Sequence, residues 1–174
     1  MISDFLKYFN EQYIFSYSGN LYDDFISQLG GKNFGDGLFN SFSTSNIEKW
    51  TELINRAFPN FKGLFNLFGY DWLGRCFGID IINNHVLMFD IGANEVLDIP
   101  CSLENFLNEE IPKYTDACLA KTFFDKWKKI GNKIEYGRCA GYVIPLFLGG
   151  NDDITNLEDS DMEVYWNIMT QILK

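Results

Sequence analysis

The sequence predicts an α+β fold: an antiparallel sheet packed with helices on one side, with a small helical N-terminal subdomain docked on a larger mixed C-terminal one. Three features lead there. Apolar residues recur at helical intervals up to Pro59, and the period switches to that of strands from Phe61. The turns between successive strands are also short, which favours antiparallel pairing, because a parallel pair needs a long crossover.

Taken in order, Ile2, Phe5, Leu6 and Phe9 share one face of a first helix, 2–9. A second covers 21–29 and stops at Gly30-Gly31, after which 30–37 reads as a turn-rich loop. Ser45 and Glu48 have capping-box spacing, Ile47, Trp50, Ile54 and Ala57 follow at helical intervals, and Pro59 ends that helix. Strands are predicted at 62–70, 75–81, 86–91 and 95–99, with Asn83-Asn84 and Gly92-Ala93-Asn94 as turns. Gly78 leaves a gap on one face of the second strand, room for a neighbouring backbone or a large aromatic. Ser102 opens a short helix that ends near Pro112. The clearest amphipathic helix spans 116–130, with Ala120, Phe123, Phe124 and Trp127 as its apolar stripe and a basic last turn. A strand over 138–148 is interrupted by Pro145, which marks an edge or a bulge. The last helix starts at Ser160, again in capping-box spacing with Glu163, and turns Met162, Tyr165, Trp166, Met169, Ile172 and Leu173 inward.

Length and composition bound the function. With 174 residues, 47% hydrophobic and 17% aromatic, the chain carries enough apolar surface for a core without metals or disulfide staples. No window approaches the apolar length of a spanning helix. The first residues, Met1-Ile2-Ser3-Asp4-Phe5-Leu6-Lys7, lack the basic and apolar blocks of a secretory signal, so a cytoplasmic location is expected. A net charge of −10 repels phosphate backbone and argues against direct nucleic-acid binding, while it would attract a basic protein. The acids are unevenly placed: residues 88–174 hold 15 acids and 8 bases, against 9 and 6 before them. Surplus acid also serves to keep a phenylalanine-rich protein soluble.

Catalytic and cofactor motifs are largely missing. Cys76, Cys101, Cys118 and Cys139 form no CxxC pair and read as buried free thiols in a reducing compartment. His85, beside Asn83-Asn84, has no serine or cysteine at a diagnostic spacing and reads as a surface turn residue. Gly31-Lys32 lacks the rest of a phosphate loop. In the acidic run 151–163, counting from Asp152 puts Ile154 and Leu157 where a calcium loop needs an oxygen and a glycine. Within that run Asp161 and Glu163 suit the first turn of a helix. Many carboxylates leave a hydrolase conceivable, but no pair is singled out. No metal and no cofactor are expected.

Two stretches mix dense aromatics with glycine: 68–78 and 141–150. One reading is core strand with tight turns. The other is a concave aromatic surface that receives a partner loop or a small molecule.

The same stretches carry a family likeness. The run Tyr70-Asp71-Trp72-Leu73-Gly74-Arg75, then Phe89-Asp90 and Glu95-Val96-Leu97-Asp98-Ile99-Pro100, resembles the C-terminal domain of type VI secretion DNase immunity proteins. So does Pro145-Leu146-Phe147-Leu148-Gly149-Gly150, followed by residues 156–166. Tyr17-Ser18-Gly19-Asn20-Leu21, Gly37-Leu38-Phe39 and Trp50 are similar to a GAD-like N-terminal domain, with Tyr22 where that pattern has proline. The resemblance implies a GAD-like domain over 1–59 and an immunity-type domain over 60–174. It implies a cytosolic, non-enzymatic antidote that binds a cognate nuclease toxin, with no membrane partner. Charge clustering before the last helix supplies the candidate contact residues: Asp152, Asp153, Glu158 and Asp159. The alternative is a ligand-sensing regulatory module that holds a small molecule at the glycine–aromatic surface.

Overall fold

The computed structural model describes residues 2–173. Helices α1 (Ser3–Tyr8) and α2 (Leu21–Leu29) form where the apolar spacing puts them. Asn20 caps α2, its side-chain oxygen accepting the N–H groups of Tyr22 and Asp23. Tyr22 therefore uses the N–H that a proline would lack, and its hydroxyl donates to the Leu67 carbonyl 3.0 Å away.

The 30–37 loop is in part a hairpin. Strands β1 (Asn33–Phe34) and β2 (Phe39–Ser41) pair across a turn, and Phe34, Leu38 and Phe39 are buried. Flanking glycines hide so short a strand pair from periodicity; the core's demand for those three side chains creates it. Helix α3 (Ile47–Ala57) follows, but the Ser45–Glu48 capping box does not form. Instead the Asn46 side chain accepts the Ser43 N–H, and the Ser43 and Ser45 hydroxyls bond to each other.

Strands β3 (Phe65–Asp71), β4 (Cys76–Asp80), β5 (Val86–Asp90) and β6 (Glu95–Ile99) complete one antiparallel sheet in chain order, β1 to β6. Because β2 pairs with β3, the sheet runs across the expected division between residues 59 and 60. Phe68 is an extra residue: Leu67 faces Gly78 while Gly69 faces Phe77. This bulge shifts the alternation by one, so Leu67 and Tyr70 share a face while Phe68 enters the other. The Phe65 ring fills the gap at Gly78.

Helices cover both faces of the sheet, not one. The larger core joins Phe68, Phe77, Ile79, Val86 and Met88 to α1, α2 and the helices after residue 102. The second joins Leu67, Tyr70, Cys76, Leu87 and Phe89 to α3 and the last helix. The cause is visible in β5, where Val86, Leu87, Met88 and Phe89 are all buried. A strand apolar on consecutive positions must be sheltered on both sides.

Past the sheet, Ser102 caps α4 (Leu103–Asn105). A π turn, Phe106–Glu110, carries the chain into α5 (Ile111–Lys113), so the helical path passes Pro112. The expected 116–130 helix is two: α6 (Thr115–Leu119) and α7 (Lys121–Lys129), separated by Ala120 at φ 50°. Strand β7 (Arg138–Tyr142) stops six residues short of the predicted end and pairs with β8 (Leu157–Asp161). Helix α8 (Met162–Ile172) is capped by Asp161, which accepts the Val164 N–H at 3.0 Å; Ser160 is still in the strand.

Candidate functional site

The segment 70–75 is the hinge-pin of the fold. Between β3 and β4, the Asp71 carboxylate accepts the N–H groups of Leu73 and Arg75 and the Arg75 Nε at 2.7 Å. Asp71 has no exposed side-chain surface and Arg75 only 13%. Burial pushes the Asp71 carboxyl up against the pull of Arg75, and burial likewise pushes up Asp90, which faces the same guanidinium. Three hydrogen bonds tie this turn to the C-terminal half, two donated from the turn and one accepted by it. Arg75 Nη2 reaches the Cys118 carbonyl at 3.2 Å, Trp72 Nε1 the Leu119 carbonyl at 2.9 Å, and Trp166 Nε1 the Gly74 carbonyl at 2.8 Å. Tyr70, Trp72 and Phe77 are buried. The 68–78 stretch is therefore core, and the concave aromatic surface envisaged there is not present.

The 141–150 stretch behaves differently. Tyr142 is buried, and its electrostatic neighbours are Arg75 and Asp90; its hydroxyl donates to Asp152 Oδ1 at 2.6 Å. Beyond it the chain turns outward. Val143, Ile144 and Leu148 are 55%, 54% and 59% exposed. This apolar loop is held by Asn156, itself buried: its Oδ1 accepts the Ile144 N–H, and its Nδ2 donates to the carbonyls of Ile144 and Asn151. Leu146 N–H donates to the Gly92 carbonyl, and Gly150 N–H to that of Pro145. A Cβ at Gly150 would collide with the Ile144 carbonyl, so only glycine closes this turn. Phe147 packs inward on the core beneath α8.

The four predicted contact residues lie at or near this loop. Asp152 sits on the Tyr142 hydroxyl. Asp153 caps a 3₁₀ turn, Ile154–Asn156, and the N–H and hydroxyl of Thr155 hold its carboxyl below the usual range. Glu158 and Asp159 are neighbours on β8 and so point to opposite faces. Asp159 accepts Arg138 Nε at 2.8 Å, whereas Asp152, Asp153 and Glu158 have no ion-pair partner among the described residues. The exposed apolar residues were not foreseen, because 138–148 reads as one strand. Pro145 followed by Gly149-Gly150 is the signal that the strand has already ended.

Other chemistry is weak. His85 Nδ1 lies 2.9 Å from Asp98, but no hydrogen bond joins it to Cys101 among the described residues. Burial pushes the Cys101 thiol up to about 11, the opposite of an activated nucleophile. Among the described residues no group of three or more His, Cys, Asp and Glu is placed to hold a metal ion. Cys76, Cys118 and Cys139 are buried and all four cysteines are free. Among the described residues no helix is long and apolar enough to cross a membrane.

Residues 102–173 match the family model described as T6SS immunity protein Tdi1, C-terminal. The match covers less than half of the chain. It begins at the cap of α4, ends with α8, and contains the whole exposed loop, β7 and β8. No curated protein matches the chain. Among solved structures it is similar to the crystal structure of Atu4351 from Agrobacterium tumefaciens, with 18% identity and a TM-score of 0.68. That likeness covers 98% of this chain and 89% of the other, and it is a likeness of fold. The matched stretch contributes no strand to the six-stranded sheet; it is fastened to it through Cys118, Leu119 and Trp166.

Proposed function

We propose that this chain is the cytosolic antidote to a nuclease toxin of a type VI secretion system, acting by non-covalent occlusion and catalysing no reaction. The likeness of residues 102–173 to the type VI secretion immunity family model is the observation that carries the reading. The net charge of −10 supports it, since a nuclease domain that holds DNA presents positive charge that an acidic protein can meet. In this reading Asp152, Asp153, Glu158 and Asp159 steer the encounter with the toxin, and neither DNA nor a membrane is a partner. An antidote must outlast the toxin, so nanomolar or tighter binding is expected, about −12 kcal/mol.

The test is co-expression with the toxin candidate encoded beside it. Cells producing that toxin should lose chromosomal DNA, and cells that also produce this chain should keep it and yield a stoichiometric complex. Changing Asp152, Asp153, Glu158 and Asp159 together to their amides should slow association roughly 10-fold and flatten its salt dependence. Unprotected cells and no complex would overturn the reading.

A further inference from the structure

Resting on that reading, we propose that the toxin is gripped by the apolar loop Val143–Ile144–Leu148, seated in an apolar recess of the toxin whose border is basic. An isolated exposed leucine means little, but here three large apolar side chains stand more than half exposed on one eight-residue loop. The loop is not floppy. Asn156 fastens it at Ile144 and Asn151, Gly92 holds Leu146, and Phe147 roots it in the core. Such fixing means that little ordering cost falls due on docking, the condition under which apolar side chains act as anchors.

The charge around the loop specifies the occupant. Asp152 and Asp153 follow it directly, Glu158 lies on the adjoining strand, and none of the three has an ion-pair partner among the described residues. Lys126 acts on Asp153 without an ion pair, so the border stays acidic, and an apolar centre with an acidic border complements a basic protein surface around an apolar recess. A second copy of this chain would set acid against acid. The outer stripe of α8, Val164, Ile168 and Ile172, is also about half exposed, the Glu163 beside it is paired with Lys49, and it serves as the comparison surface.

The experiment measures binding kinetics between the full chain and the adjacent-gene toxin carrying an inactivating active-site change. Variants are Val143→Ser/Ile144→Ser, Leu148→Ser and, as comparison, Ile168→Ser. The loop variants should weaken the complex by on the order of 30-fold or more, through faster dissociation, while Ile168→Ser changes it less than about 3-fold. All these side chains are exposed, and an unchanged thermal midpoint shows that the variants fold. Loop variants that fold and bind as tightly as the parent would overturn this inference and leave the immunity reading standing. A parent chain that does not bind the toxin at all would overturn both.

Discussion

Arg75 joins separate parts of the molecule. Its guanidinium neutralises Asp71 from a site with almost no solvent, faces Asp90, and fastens the Cys118 carbonyl. Replacing it with methionine keeps the volume but leaves a buried carboxylate without its cation. Arg75→Met should therefore cost about 3–5 kcal/mol, read as a lower urea midpoint. Adding Asp71→Asn should restore part of that loss, since the pair is coupled, and simple additivity would refute the coupling. The sequence marks these two residues through their place in the 70–75 run, but not their burial. Four residues apart in an aromatic stretch, they read equally well as an exposed polar turn. Their burial comes from elements distant in sequence, among them the α6–α7 junction and Trp166 of α8.

At the scale of elements, the division of the 116–130 helix is the most instructive departure. The carbonyls of Cys118 and Leu119, which would accept from residues 122 and 123 in an unbroken helix, are taken by Arg75 and Trp72. Thr122 N–H turns to the Asp116 carboxylate at 2.7 Å instead, and Ala120 adopts a left-handed conformation. A side chain in that region costs energy that glycine avoids. Ala120→Gly should raise stability by about 0.5–1 kcal/mol, and a fall in thermal midpoint would show that the strain is absent. The same case shows what the sequence reveals. The apolar stripe of Phe123, Phe124 and Trp127 was legible and Phe124 and Trp127 are indeed buried, because periodicity reports which face meets the core. The break was illegible, because it is imposed by donors more than forty residues away. Strands β3 to β6 were legible for the first reason and the β1–β2 hairpin was not. The acids near the candidate loop were found by clustering, whereas its apolar tip was masked by a strand pattern that Pro145 cuts short.

For the molecule as a whole, the accessible surface of 8691 Å² matches the roughly 8,700 Å² expected for this mass, so the aromatic load is largely used inside. One consequence is an alkaline limit. Burial lifts Cys101 and Cys118 to about 11 from an ordinary 9.0, and lifts Cys76 and Cys139 as well. Their un-ionised form is favoured by folding, so that contribution is whole below pH 9 and is lost as pH rises towards 11. Tyr70, Tyr142 and Tyr165, likewise raised, add to the decline above pH 10. Unfolding free energies measured in denaturant should thus drop between pH 9 and 11, and a constant value across that range would contradict the buried-thiol account. The tie between Trp166 and Gly74 spans 92 residues and has a different consequence. A ribosome making this polypeptide completes the sheet long before it makes the helix that shuts one side of it, so the nascent chain waits with phenylalanines uncovered until that helix emerges. A message cut short before that helix yields material for proteases.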